Sequence, residues 1–193
     1  MRKLKTLTAA LCLLCAFAAD TQAQAAAGAQ PAAKSLYERL GGLDAITAVI
    51  DEFIKIAGAD ERINKKFARS EANGPRIRLH FIEQVCEVTG GPCKYTGNNM
   101  KKAHKNMGLT EGEFNAGVED LVKALDKFNV PEAEKNELLG ILGGLKNQIV
   151  EVKGNETGTP LPANFKPAKP LSAERVKAGP AMKGGAKKGS GGK

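Results

Sequence analysis

The sequence predicts an all-α protein with one globular domain. Three observations predict it. Apolar residues recur at helix-face spacing in several long stretches, no stretch alternates with period two, and helix start and stop signals fall at the ends of those stretches. The domain runs over 35–153, long enough for a single core.

In chain order, Ser35 to Leu40 reads as a very short first helix, closed by Gly41-Gly42. A long helix follows, with Ile46, Val49, Ile50, Phe53, Ile54 and Ala57 on one face. The next runs from Pro75 to about Val88, carries Ile77, Phe81, Ile82 and Val85, and stops at Gly90-Gly91-Pro92. A short helix ends near His104. Thr110-x-x-Glu113 is a capping box that starts another, with Phe114, Val118, Leu121, Val122, Leu125 and Phe128 on its apolar face. Asn129-Val130-Pro131 ends it, and Pro131 suits the first turn of a last helix, whose apolar set runs from Leu138 to Ile149.

The ends differ from the middle. Arg2, Lys3 and Lys5 precede an apolar run from Leu7 to Ala19, and Ala16-Phe17-Ala18 and Ala23-Gln24-Ala25 fit small-x-small cleavage. This predicts a signal peptide over 1–25, a linker over 26–34, and a periplasmic or secreted mature protein without a transmembrane segment. Cys12 and Cys15 leave with the peptide. Residues 154–193 are rich in Lys, Gly, Pro and Ala and poor in large apolar side chains, which predicts a disordered basic tail.

The net charge of +8 belongs to these ends. The tail holds eight basic and two acidic residues and the first twenty residues hold three and one, leaving eighteen of each in 21–153. A neutral domain argues against nucleic acid as a partner.

The chemistry rests on two histidines, His80 and His104, the only two in the chain. A neutral imidazole is a common ligand for haem iron, and one on each of two facing helices could hold a haem from both sides. There is no Trp and aromatics make up 5% of residues, so a large prosthetic group would supply hydrophobic mass that the side chains lack. No C-x-x-C-H is present to attach a c-type haem. Cys86 and Cys93 remain after export, and the sequence leaves open a disulfide or two thiols.

Together, Leu36-Tyr37-Glu38-Arg39-Leu40-Gly41-Gly42, Phe67, Gly90-Gly91-Pro92, Tyr95-x-Gly97, Met100-x-x-Ala103-His104, Phe114 and Val130-Pro131 resemble a group I truncated haemoglobin. That is the two-over-two helical sandwich of the protozoan and cyanobacterial globin family. The resemblance implies a b-type haem with His104 as proximal ligand and the Met100 carbonyl accepting from its other ring nitrogen. It implies that Phe67, Phe81, Met100 and Ile77 contact the haem, and that Arg76, Arg78, Lys94, Lys101 and Lys102 are candidates for its propionates.

The distal side departs from the family pattern. Ile54 stands where many members place a tyrosine, Ile77 and Phe81 occupy the facing positions, and Gln84 lies one turn beyond. His80 matches the position from which a histidine binds iron in some cyanobacterial relatives, which implies a bis-histidine resting state. The resemblance implies oxygen or other diatomic gases as ligands. It leaves open whether the chain is a gas binder, an electron carrier with an unidentified redox partner, or an enzyme of nitric-oxide or peroxide detoxification.

Overall fold

In the computed structural model, residues 33–68 and 73–184 are described. The expected signal peptide and all but the end of the linker lie outside the described residues. The helices are α1 (Leu36–Arg39), α2 (Gly42–Ala59), α3 (Asn64–Ala68), α4 (Gly74–Val88), α5 (Met100–Ala103), α6 (Glu111–Lys127), α7 (Glu132–Gly143), α8 (Lys146–Ile149) and α9 (Ala173–Lys177). Among the described residues β-structure is confined to two isolated bridges, Cys93 with Met182 and Thr110 with Val152. No helix of the described residues is long and apolar enough to cross a membrane.

Each helix starts where its local chemistry dictates. Ser35 and Glu38 form a reciprocal capping box on α1, and Thr110 and Glu113 form the expected one on α6. Gly41 and Gly42 both have positive φ, at 93° and 78°, so the chain turns between α1 and α2 in a conformation that side chains resist. The apolar set from Leu138 to Ile149 is split between α7 and α8, because Gly143-Gly144 interrupts the helix. Pro131 is the N-cap of α7, one position ahead of the first turn.

The core lies where α2 packs against both α4 and α6. Ile46, Val49, Ile50 and Phe53 of α2 are buried against Ile82 and Val85 of α4 and Leu121 and Leu125 of α6. At roughly 1.5–3 kcal/mol per fully buried aliphatic or aromatic side chain, this seam is the main source of stability. Cys86 and Cys93, both fully buried, form a disulfide with Cα atoms 5.6 Å apart, which ties the end of α4 to the loop leading to α5.

The expected tail behaves differently from its composition. Residues 154–184 follow a defined course over the helical domain; the rest lie outside the described residues. The order comes from polar contacts. Gly112 N–H donates to Gly154 O, Gly158 N–H to Arg62 O, Lys94 N–H to Ala181 O, and Lys183 N–H to Pro92 O. Low apolar content led to the expectation of disorder, and hydrogen bonds to the helical domain offset the ordering entropy instead.

Candidate cofactor pocket

A cavity of about 550 Å3 opens between α4 and the α5–α6 side of the fold. That is the volume range of sites for sizeable organic ligands. His80, His104, Phe67, Ile77, Phe81 and Met100 all line it, so the six residues expected at the site come together.

Five-residue α3 places Phe67, and α4 presents Ile77, His80, Phe81 and Gln84 at i, i+3, i+4 and i+7, one stripe of a single helix. Phe81 packs edge-on against Phe53 with ring centroids 5.2 Å apart, an arrangement that fixes both rings in the wall. The α2 residue in the cavity wall is Phe53, whereas Ile54 packs on the core beside it. The alignment pointed to Ile54; one residue along a helix turns a side chain by about 100°, which carries it off the wall.

Asn99 caps α5 by accepting the Lys102 N–H at 2.9 Å, and His104 closes this one-turn helix. Its Nδ1 lies 2.9 Å from the Met100 carbonyl, the acceptor expected from the sequence. A carbonyl only accepts, so Nδ1 carries the proton and Nε2 keeps its lone pair. Burial pushes the ring below its ordinary value of 6.5, outweighing the Met100 bond and Glu151, and keeps the imidazole neutral.

His80 is held in the same way by a different partner. Its Nδ1 lies 3.1 Å from Oε2 of Glu83, one turn along α4. Glu83 is fully buried and also accepts the Thr96 N–H at 3.0 Å, the Thr96 hydroxyl at 2.7 Å, the Ala181 N–H at 2.9 Å and the Arg175 guanidinium. Burial opposes its ionisation, yet the bonds from Ala181, Thr96 and His80 prevail and hold the carboxyl below its ordinary range. An ionised carboxylate only accepts, so the proton sits on His80 Nδ1. His80 Nε2 is buried with no hydrogen-bond partner among the described residues.

An orphaned, buried imidazole nitrogen is a ligand looking for an acid, and it fits an iron centre. The walls fit haem as well: two histidines line a mostly apolar cavity, with Arg76 and Lys102 also lining it to meet carboxylates. Arg78, Lys94 and Lys101 are not in that lining; Arg78 is turned to Asp51, with Nη2 to Oδ2 at 2.8 Å. A side chain at i+2 of Arg76 points to another face of α4, which spacing alone could have shown.

Four features were not read from the sequence. Tyr95 lines the cavity with its ring 5.9 Å from His80, and its hydroxyl donates to Asn98 O at 2.5 Å. Burial raises its pKa and keeps the phenol protonated. Lys66, 2% exposed, reaches the cavity while bonding Met107 O, Gly108 O and Thr159 Oγ1 at 3.0, 3.2 and 2.8 Å. Glu83 joins the site through His80. Residues 165–168 of the C-terminal segment line the cavity too. A carboxylate at position 83, on the apolar face of α4 beside Ile82, was the available signal, since a buried charge demands partners.

The family model "Bacterial-like globin" matches residues 35–151. The group 1 truncated hemoglobin of Mycolicibacterium paratuberculosis is 33% identical over 121 residues, covering 63% of this chain and 86% of that protein. The one from Synechocystis is 34% identical over 113 residues, covering 56% and 90%. Among solved structures, truncated hemoglobin from Tetrahymena pyriformis in its Fe(III) form superposes with a TM-score of 0.58 at 29% identity, covering 62% of this chain and all of that one. The geometry and these relatives agree, and the chain belongs to the bacterial-like globins, as a group 1 truncated haemoglobin with haem as its cofactor.

Proposed function

We propose that this globin holds a b-type haem between His104 and His80 and binds diatomic gases when His80 gives way. The observation that carries the reading is that His80 and His104 line one cavity and that the buried Nε2 of His80 has no hydrogen-bond partner among the described residues. Haem supplies an iron that binds oxygen, nitric oxide or carbon monoxide and cycles between two oxidation states.

The chain's own residues set the terms. Met100 O and Glu83 fix both rings in the tautomer that keeps Nε2 free. Phe53, Phe67, Ile77 and Phe81 give the cavity an apolar wall that offers water no hydrogen bonds. The Tyr95 hydroxyl is committed to Asn98 O, so Gln84 is the side chain on the α4 stripe that can donate to a bound gas. A second reading, electron transfer, is supported by the carboxylate behind His80, because a basic, well-held sixth ligand stays in place through a change of oxidation state.

We also infer that the protein works in an oxidising compartment, periplasmic or extracellular. The buried Cys86–Cys93 disulfide supports this, together with the signal-like first 25 residues.

The test is the absorption spectrum of the haem-loaded protein, ferric and ferrous, for wild type and His80→Ala. A six-coordinate low-spin spectrum that turns five-coordinate in the variant is expected. A high-spin wild-type spectrum unchanged by the substitution would remove His80 from the iron and leave His104 as sole protein ligand.

A further inference from the structure

We propose that residues 154–184 are a haem-retaining strap, an extension of the binding site beyond the globin helices. The proposal rests on the reading of this cavity as the haem pocket.

The segment crosses the cavity between two buried clasps. At the first, Glu113 of α6 accepts the Thr159 N–H at 2.8 Å and the Thr159 hydroxyl at 2.7 Å, while Thr159 Oγ1 accepts from Lys66 Nζ. Glu113 and Lys66 are 0% and 2% exposed, and Nζ stands 3.3 Å from Glu113 Oε2. At the second, the segment sends the Arg175 guanidinium and the Ala181 N–H onto Glu83 of α4. Each clasp uses a carboxylate that the helices bury but satisfy only in part, so the helical domain is electrostatically incomplete without the segment.

Between the clasps, Phe165, Lys166, Pro167 and Ala168 line the cavity. Asn73 and Arg76, at the start of α4, donate to Ala168 O and Lys169 O at 2.7 and 3.3 Å and hold that span down. Gly112 shows that the helices accommodate it, because a Cβ there would stand 2.4 Å from Asn155 O. The span joins the α6 side of the cavity to the α4 side and forms part of its wall. Haem leaving between those sides has to lift it.

The second clasp also reaches the site. Arg175 and His80 share Glu83, so the strap holds the carboxylate that orients the proposed sixth ligand. Glu83 and Arg175 are positioning residues, since neither touches the iron site directly.

The experiment uses the full chain, haem-loaded, as wild type, Thr159→Val, Arg175→Gln and the double variant. Haem transfer to excess apomyoglobin gives the loss rate, and the ferric spectrum gives the six-coordinate fraction. Each single variant is expected to lose haem about tenfold faster, the scale of one charge-assisted hydrogen bond. Arg175→Gln is also expected to lower the six-coordinate fraction, while Thr159→Val leaves it unchanged. Loss at the wild-type rate in all variants would overturn the strap while leaving the haem pocket standing. Failure of the wild type to take up haem would instead overturn the reading on which it rests. Should a variant not fold, hydrogen exchange of the wild type decides. The Gly158, Thr159, Ala181 and Lys183 amides are expected to exchange at least tenfold more slowly with haem than without, and equal rates would overturn the proposal.

Discussion

Glu83 lies one helical turn from His80, fully buried, and accepts the hydrogen bond of its Nδ1–H at 3.1 Å. The pair fixes which nitrogen of His80 is available to the cavity. It also lets α4 serve as a wall of the cavity and carry the proposed sixth ligand, oriented by a residue outside the cavity lining.

Replacing that carboxylate separates the two roles. In Glu83→Gln the amide can still meet His80 and Thr96, but the Arg175 guanidinium loses its counter-charge. The ferric spectrum should shift toward the five-coordinate form, because a neutral acceptor leaves the imidazole less basic. Thermal unfolding should fall at the same time, by about 3 kcal/mol in stability, the scale of a broken buried ion pair.

The Lys66–Glu113 pair offers a cleaner energetic test, since both groups are buried. Lys66→Met should cost about 3–5 kcal/mol, because Glu113 is left without its cation. Adding Glu113→Gln should cost much less than its own effect in the wild-type background. A double-mutant cycle in urea measures the coupling, and additive effects would show that the two groups act independently.

Reduction of Cys86–Cys93 should destabilise the domain by about 2–3 kcal/mol, the loop-closure value for a short loop. The sequence separation is 7. Urea unfolding of the wild type with and without a thiol reductant checks this, and Cys86→Ser/Cys93→Ser should be insensitive to the reductant.

An acid effect is expected at Asp60. The forked contact from Arg62, Nε to Oδ1 at 3.1 Å and Nη2 to Oδ2 at 2.7 Å, overcomes burial and holds its carboxyl at about 2 against an ordinary 3.8. A carboxyl lowered by folding contributes stability above its unfolded value and loses it as pH falls through the folded one. The contribution is therefore complete above pH 3.8 and disappears toward pH 2. The Arg62 side chain is 38% exposed, so solvent screening keeps the contribution small. Asp60→Asn should flatten the stability curve across that window and leave its shape above pH 5 unchanged.

The parts of the molecule legible in the sequence are those governed by repeating patterns. Helical periodicity located α2, α4 and α6, the Thr110–Glu113 box marked the start of α6, and the motif around Met100 and His104 placed the proximal bond to the Met100 carbonyl. The alignment sets Ile54 at the pocket, whereas Phe53 both packs in the core and lines the cavity, because register along a helix is decided by a single residue. The C-terminal segment departs from what its composition predicts for a deeper reason. Composition measures what a segment can bury of its own, whereas 154–184 is ordered by carboxylates that belong to α4 and α6. Glu83 and Glu113 were visible, but their unmet demand for donors was not.

The clasp contacts also join distant parts of the chain: Arg175 and Ala181 reach Glu83 across 92 and 98 residues. Pairings so remote close slowly compared with local helical turns. They also involve residues synthesised after the helices they bind. The helices therefore acquire their shape first, and for an interval the pocket has a floor and walls but no cover. On the strap reading, closing the clasps then adds the last wall of the pocket, and the segment written last into the fold is the one that sets how firmly the cofactor is kept.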